Sequence, residues 1–352
     1  MPELTMAELN YKRHLKVDLF PTIWCPGCGI GSIMMQLAIV LEEMGLDETN
    51  TAIITGIGCT GRMGSYLKHE SVYTLHGRTL PVAEAIKTFR PELNVIVVSG
   101  DGDLASIGGN HLIHTIRRNA NLTVLCNNNE IYGLTGGQTG PTTPQGTKTL
   151  SSPIGNPNTP INLQGLVRSS PHALYAKTTV YHQQHLRTAI SEAVRHDGFS
   201  FVDITSQCIE NNGRRIGFAS ANEMLTFYRK TFKRAPKDAT ALGEHELGVL
   251  YPTAGANGAD GTDGAAPAST NGTAPRATSP APAAPAATPS TTAPAASGAS
   301  DDEKAKRRAE SQKRLALMQK LDPAVKVRVA KGEISLADAL REAGVDPSEL
   351  EG

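Results

Sequence analysis

Three groups of residues in this sequence have types and spacings that could do chemistry: Cys25 and Cys28 in WCPGCG, Asp101 and Asp103 in GDGD, and Asn129 in CNNNEIYG. A CxxC pair can exchange disulfides or hold a metal. The order Cys-Pro-Gly-Cys, without a βαβ unit before it, is not the Gly-Pro arrangement usual in thioredoxin-like sites, which counts against exchange. Two more cysteines end strand-like runs, Cys59 in GIGCTGR and Cys208 in FVDITSQC. Strand-end thiols and a CPGC loop can converge at one sheet edge as four thiolates, a set that suits an iron–sulfur cluster or a structural zinc. The plain alternative is unrelated core thiols beside a chance CxxC. Cys126, inside NLTVLCNNN, reads as a small buried apolar residue.

GDGD directly follows an apolar run. Its glycines let backbone N–H groups approach an anion, and Asp101 offers a hard oxygen to Mg²⁺. The next strand ends at Asn129, whose side-chain oxygen and the carbonyl of Ile131 could complete an octahedral site with two diphosphate oxygens. GDG, a helix, then a strand ending in Asn is the spacing of a thiamine diphosphate site; the alternative is an Asn-rich turn after an ordinary βαβ unit. Thr and Gly residues from 133 to 143 would close as a loop over the diphosphate.

These residues need strands and helices to hold them. TAIITGIG, NVIVVSGDGD, NLTVLCNNN and SFVDITSQC read as buried strands, and LPVAEAIKTFR, GGNHLIHTIRRN and QQHLRTAISEAVRHDG as helices. The alternation predicts an α/β fold, a doubly wound, mostly parallel sheet with helices on both faces. Functional groups then gather at the carboxyl ends of its strands. His111 and His114, one turn apart, are expected to be satisfied structural histidines on a helix packed against the sheet.

The chain has 352 residues, with 34 Lys and Arg balancing 34 Asp and Glu, so no whole-chain charge points to nucleic acid or an anionic membrane. The N-terminus lacks the apolar core of a secretory signal, and the run from Ile33 to Leu41, interrupted by Gln36, is too short to span a bilayer. A cytoplasmic location is therefore expected, where thiols stay reduced. Three regions follow from composition: a domain over 1–252, a disordered Ala/Pro/Gly/Ser/Thr linker over 253–302, and a small basic helical hairpin over 303–352. In the last, Ser335 is an N-cap, Asp338 occupies the capping-box position and Gly344 is a stop. Ten Lys or Arg between 304 and 331 face two acids, a solvated face or a tether to a partner, with nucleic acid conceivable only through this tail.

WCPGCG, GIGCTGR, HGR, GDGD, IGGNHLIHTIRRN and NNNEIYGLTGGQTGPTTPQG together resemble the β subunit of the 2-oxoacid:ferredoxin oxidoreductases, especially the 2-oxoglutarate-using members. The resemblance covers about Tyr11 to Tyr251 and leaves the linker and tail outside it. It implies a fold of the thiamine-diphosphate-binding type. It implies one [4Fe–4S] cluster on Cys25, Cys28, Cys59 and Cys208 beside Trp24, and Mg²⁺ on Asp101, Asn129 and the Ile131 carbonyl. Gly100, Gly102, Asp103, Tyr132, Gly133, Leu134 and Thr135 would lie along the cofactor. The implied reaction is coenzyme A-dependent oxidative decarboxylation of a 2-oxoacid, with electrons passed to ferredoxin. An α subunit would carry the activating Glu, in an αβ or α2β2 assembly.

For the substrate, Arg62 and Arg78 could meet a distal carboxylate and His76 could donate a hydrogen bond to cofactor or substrate; surface ion pairs are the alternative for both arginines. Some relatives carry Lys at the position of Arg62, and some carry another Lys where this chain has Gly136; the second difference leaves pyruvate or a broad oxoacid range open. Two rivals remain: a thiamine-dependent decarboxylase or carboligase with a structural zinc, and a noncatalytic zinc-binding scaffold.

Overall fold

In the computed structural model, which describes residues 10–253 and 335–344, the β-branched runs form the middle of one sheet. The strands are Thr51–Thr55 (β1), Glu70–Tyr73 (β2), Asn94–Gly100 (β3) and Leu122–Asn128 (β4), then a small separate hairpin of Ile131–Tyr132 (β5) and Gln138–Thr139 (β6). Leu174–Thr179 (β7), Phe199–Thr205 (β8), Lys233–Arg234 (β9) and Glu246–Leu250 (β10) complete them. The eight-stranded sheet runs β2-β1-β3-β4-β8-β7-β10-β9. It is parallel from β2 to β7, and β10 is antiparallel to β7.

Every residue of β1 is buried, as are Val95–Ser99 of β3 and Leu122–Asn127 of β4. Unbroken burial is what a parallel sheet covered on both faces requires. The covers are Ile30–Glu43 (α1), Thr79–Phe89 (α2), Gly109–Arg118 (α3), Leu163–Val167 (α4), Gln183–Arg195 (α5) and Ala221–Thr231 (α6). Alternate strand residues point to opposite faces. Ile53, Ile96 and Val98 meet Ile33, Leu37 and Leu41 of α1 and Leu186 and Ile190 of α5, while Ile54 and Val97 meet Leu80 of α2 and Leu112 and Ile116 of α3. Each such side chain contributes ~1.5–3 kcal/mol by leaving water. Gln36, in the apolar run of α1, is buried with its amide donating to Gln183 Oε1 at 2.6 Å and accepting from Arg187 Nε at 3.1 Å.

His185 on α5 is also buried, its Nδ1 3.0 Å from Thr178 Oγ1, and burial with the Arg234 and His182 charges pushes its pKa down to about 4. A base with a depressed folded pKa adds stability above its unfolded value of 6.5 and loses it as pH falls from there toward 4. We expect ~2–3 kcal/mol of native stability to be lost across that window from this group. His185→Gln should flatten the pH dependence of the urea midpoint there; an unchanged profile contradicts the assignment.

Among the described residues no helix is long and apolar enough to cross a membrane. The second described unit is the helix Leu336–Glu342 (α7), capped by Ser335, whose Oγ accepts the Asp338 N–H at 3.1 Å, and followed by Gly344 at φ +71°. The expected linker, the basic run and the first helix of the hairpin lie outside the described residues.

Within the sheet, the chain leaves β1 toward β2 at one edge and leaves β3 toward β4 on the other side. Loops diverging from adjacent strand ends open a crevice, the usual ligand position in such sheets.

Candidate active site

That crevice is a cavity lined by Ile57–Thr60 after β1, His76, Gly100–Asp103 after β3, and Asn129 and Ile131–Thr135 after β4. Twelve of the expected site residues line it: Cys59, His76, Gly100, Asp101, Gly102, Asp103, Asn129, Ile131, Tyr132, Gly133, Leu134 and Thr135.

Asp101 caps a single π-helical turn, Gly102–Ile107, and is 2% exposed. Burial raises its pKa from 3.8 to about 6, against the lowering effect of the Thr142 hydroxyl, which donates to Oδ2 at 2.6 Å. No Lys or Arg among the described residues pairs with it. A buried carboxylate without a counter-charge fits a cation. Asn129 Oδ1 accepts the Ile131 N–H at 3.2 Å, and Asn212 Nδ2 holds the Asn129 carbonyl at 3.1 Å. Between them Glu130 takes φ +62°, and burial with the charges of Asp101 and Asp203 pushes it up to about 7.

Asp103 behaves differently from Asp101. Its Oδ1 accepts from the Gly77 N–H at 2.8 Å, the Ile57 N–H at 3.4 Å and His76 Nδ1, and its Oδ2 from Ser99 Oγ at 2.6 Å. Both oxygens are thus engaged in bracing the wall, and Asp103 is also one of the residues lining the cavity. A Cβ at Gly56 would overlap Asp103 Oδ2, which is why glycine begins GIGCTG. With Nδ1–H given to Asp103, His76 keeps Nε2 for a ligand.

The Thr/Gly segment does close as a loop, with β5 paired to β6 through Ile131 and Thr139. Gly136 and Gly137, at φ +111° and +100°, make its tight bend. Asn211 Nδ2 ties the Gly133 carbonyl from the far side at 2.7 Å.

The four strand-end and loop thiols come together beside this cavity. All are free, and Cys28 is pushed up to about 12, chiefly by burial and further by the charges of Cys208, Cys59 and Cys25. Burial also raises Cys59 and Cys208. Backbone N–H groups of Ile30 reach Cys28 and those of Asn211 and Asn212 reach Cys208, and each lowers the thiol it meets. Trp24 Nε1 donates to the Cys59 carbonyl at 2.8 Å, pinning the CPGC loop to the strand-end loop. A Cβ on Gly133 would lie 3.1 Å from Cys208 Sγ, and Cys59 lines the cavity itself, so the thiols and the cavity share a wall. Among the described residues no three His, Cys, Asp or Glu side chains close tightly around one point as a single ion needs. Cys126 is fully buried in β4, as expected.

Arg62 and Arg78 do not line the cavity. Both are exposed: Arg62 lies near enough to Cys59 to lower its pKa, and Arg78 Nη1 donates to the Gly77 carbonyl at 3.1 Å. His111 is half-buried and His114 exposed on α3, and neither has a hydrogen-bond partner among the described residues. The expectation that they are satisfied structural histidines is therefore corrected: Leu112, Thr115 and Ile116 take the buried side of that helix. Thr142, Asn128 and Asp203 were missed as site residues. An Asp inside the buried run FVDIT was the available signal, because a buried charge demands partners.

Comparison with known proteins bears on this arrangement. A family model described as "Thiamine pyrophosphate enzyme, C-terminal TPP binding domain" matches residues 56–204. The chain is 39% identical over 242 residues to "2-oxoglutarate synthase subunit KorB" of Methanothermobacter marburgensis, covering 67% of this chain and 85% of the relative. It is 40% identical over 191 residues to "2-oxoglutarate oxidoreductase subunit KorB" of Mycobacterium tuberculosis, covering 54% of this chain and 51% of the relative. Among solved structures, a 2-oxoglutarate:ferredoxin oxidoreductase from Magnetococcus marinus, with 2-oxoglutarate, coenzyme A and succinyl-CoA bound, superimposes with a TM-score of 0.63. The two share 34% identity over 69% of this chain and 84% of that one. With identity at this level over most of a relative's length, the chain belongs to the β subunits of the 2-oxoacid:ferredoxin oxidoreductases.

Proposed function

We propose that this chain is the cofactor-binding half of a coenzyme A-dependent 2-oxoglutarate:ferredoxin oxidoreductase, forming succinyl-CoA and CO₂. The observation that carries this reading is that Cys59 lines the Asp101 cavity and Cys208 lies against Gly133 of its wall, with Cys25 and Cys28 near enough to act electrostatically on the same group of thiols. When bound, thiamine diphosphate supplies the carbanion chemistry of decarboxylation and a [4Fe–4S] cluster a one-electron acceptor. Asp101, Asn129 and the Ile131 carbonyl would hold Mg²⁺ with the diphosphate. Cys25, Cys28, Cys59 and Cys208 would hold the cluster. The backbone N–H groups at Cys28 and Cys208 offer the kind of N–H···S contact that tunes such clusters.

The residues of this chain hold and orient. Asp103 fixes His76 with its Nε2 available to cofactor or substrate, and the Gly136–Gly137 bend closes the loop beside the diphosphate. Asp101 and Asp103 are the acidic groups among the described lining residues, and both are committed. A Glu able to activate the aminopyrimidine would therefore come from an α subunit, in an αβ or α2β2 assembly with ferredoxin as acceptor. Free thiols suit a reducing compartment, so we assign the chain to the cytoplasm.

Arg62, exposed beside Cys59, is the cation we assign to the distal carboxylate, with Arg78 as a second contact. The α/β complex, purified anaerobically, should contain iron, bind thiamine diphosphate and reduce ferredoxin or a viologen faster with 2-oxoglutarate than with pyruvate. Arg62→Met should lower kcat/KM for 2-oxoglutarate about 10–100-fold, the worth of one charge-assisted hydrogen bond, and leave pyruvate nearly unchanged. Equal rates on the two acids overturn the substrate assignment, and a colourless zinc protein overturns the redox reading.

A further inference from the structure

Asp101 has one side-chain hydrogen-bond donor among the described residues, the Thr142 hydroxyl at 2.6 Å. Thr142 is 7% exposed and reaches in from the loop after β6. Its Oγ1 also lies 2.9 Å from Asn128 Oδ1, at the end of β4. Asn128 Nδ2 in turn donates to Asp203 Oδ1 at 3.0 Å, and the Tyr175 hydroxyl donates to Asp203 Oδ2 at 2.9 Å. Asp203 on β8 and Tyr175 on β7 are both buried. A chain of polar contacts therefore runs from the end of β3 across β4 and β8 to β7, and Thr142, Asn128, Asp203 and Tyr175 line a second pocket rather than the Asp101 cavity.

Thr142 has one hydroxyl hydrogen and two acceptors. The carboxylate is charged and nearer, so it takes the hydrogen. Oδ2 is then held in a fixed direction, and the other donors to the carboxylate are the backbone N–H groups of Gly102 and Asp101. We propose that Thr142 is a positioning residue that aims the Asp101 carboxylate at Mg²⁺ and diphosphate. The proposal rests on the reading of this cavity as the Mg²⁺–diphosphate site and assigns a residue beyond the cavity lining to it. An outer partner of this kind acts by holding its ligand's torsion before the metal arrives, so less ordering remains for binding to supply. The adjacent threonine does different work: Thr143 Oγ1 accepts the Gly140 N–H at 2.8 Å and braces the loop.

The test measures thiamine diphosphate binding to the α/β complex by equilibrium dialysis across a series of Mg²⁺ concentrations, with the melting temperature of the cofactor-free complex alongside. Thr142→Val keeps the shape and removes the hydroxyl; it should raise the Mg²⁺ needed for half-saturation about 10–100-fold with little change in melting temperature. Thr142→Ser restores the hydroxyl and should lie within about threefold of wild type. Thr142→Ala removes the hydroxyl without the bulk and reads the same loss should the Val variant not fold. Wild-type Mg²⁺ dependence in the hydroxyl-free variants overturns the proposal, as does equal impairment in the Ser variant. If the unaltered complex binds no thiamine diphosphate at any Mg²⁺ concentration, the cavity reading itself fails first.

Discussion

Cys208→Ser in the α/β complex should abolish the iron content expected of the unaltered complex and lower ferredoxin or viologen reduction by more than the roughly 10–100-fold that losing an outer partner of a metal site costs, while thiamine diphosphate should still bind. The two sites touch but do not share this side chain. Cys208 lies against Gly133, and the smaller serine introduces no overlap there. Asp101, Asn129 and the Thr142 contact stand just past β3, just past β4 and in the loop after β6, none of which depends on a sulfur at 208. A serine oxygen at that place is a poor partner for iron, and the remaining thiols cannot close the set. Cys126→Ser provides the contrast. That thiol is fully buried in β4 and pushed well above its usual pKa by burial, so its loss should cost ~1–3 kcal/mol of stability and leave iron content unchanged. Metal analysis and the visible spectrum decide both results. Iron retained in Cys208→Ser, or lost in Cys126→Ser, means that the four thiols have been grouped wrongly.

Those thiols also show which parts of the site can be read from a sequence. Cys59 and Cys208 lie in the loops just past β1 and β8, strands that announce themselves by unbroken β-branched runs, and in a parallel sheet strand ends of the same sense lie on one edge. Their convergence with the CPGC loop follows from local pattern plus one topological rule. The same logic placed Asp101 and Asn129 at adjacent strand ends, since β3 and β4 pair directly. β7 was missed because LYAKTT is short and carries Lys177, whose ammonium leaves the sheet to donate to the Glu244 carbonyl at 2.7 Å. The antiparallel β10 was missed for a related reason: its pairing with β7 joins segments far apart in the chain, and no short-range signal encodes it. Thr142 was within a quoted motif, yet nothing in GPTTPQG distinguishes the threonine that meets Asp101 from the one that braces the loop. Direction of side chains is set by packing, and that also explains α3. Its histidines could not be assigned a side from spacing alone, and they took the outer one.

Asp101→Asn gives the second large effect, and it separates binding from folding. The amide keeps the shape of the buried carboxyl but loses the charge that Mg²⁺ requires, so thiamine diphosphate affinity in the presence of Mg²⁺ should fall more than the roughly 10–100-fold expected for an outer partner, and turnover with it. The protein without cofactor should respond in the opposite sense. Burial raises the folded pKa of Asp101 from 3.8 to about 6, so the native state binds this proton more tightly than the unfolded state does. Stability from the group is then present at low pH and is lost as pH rises from 3.8 through about 6. At pH 8, without Mg²⁺, the wild-type carboxylate is ionised and unpaired, and replacing it by a neutral amide should stabilise the apoprotein by ~1–3 kcal/mol. At pH 5 the gain should shrink, because most of the wild-type carboxyl is already protonated there. Adding Mg²⁺ and thiamine diphosphate at pH 8 should reverse the order, since the ligands stabilise only the protein that binds them. Urea titrations at the two pH values, with and without both ligands, carry the test. A variant less stable than wild type in the absence of Mg²⁺ at pH 8, or one equally stabilised by the ligands, would show that Asp101 is a structural acid and that the diphosphate site lies elsewhere.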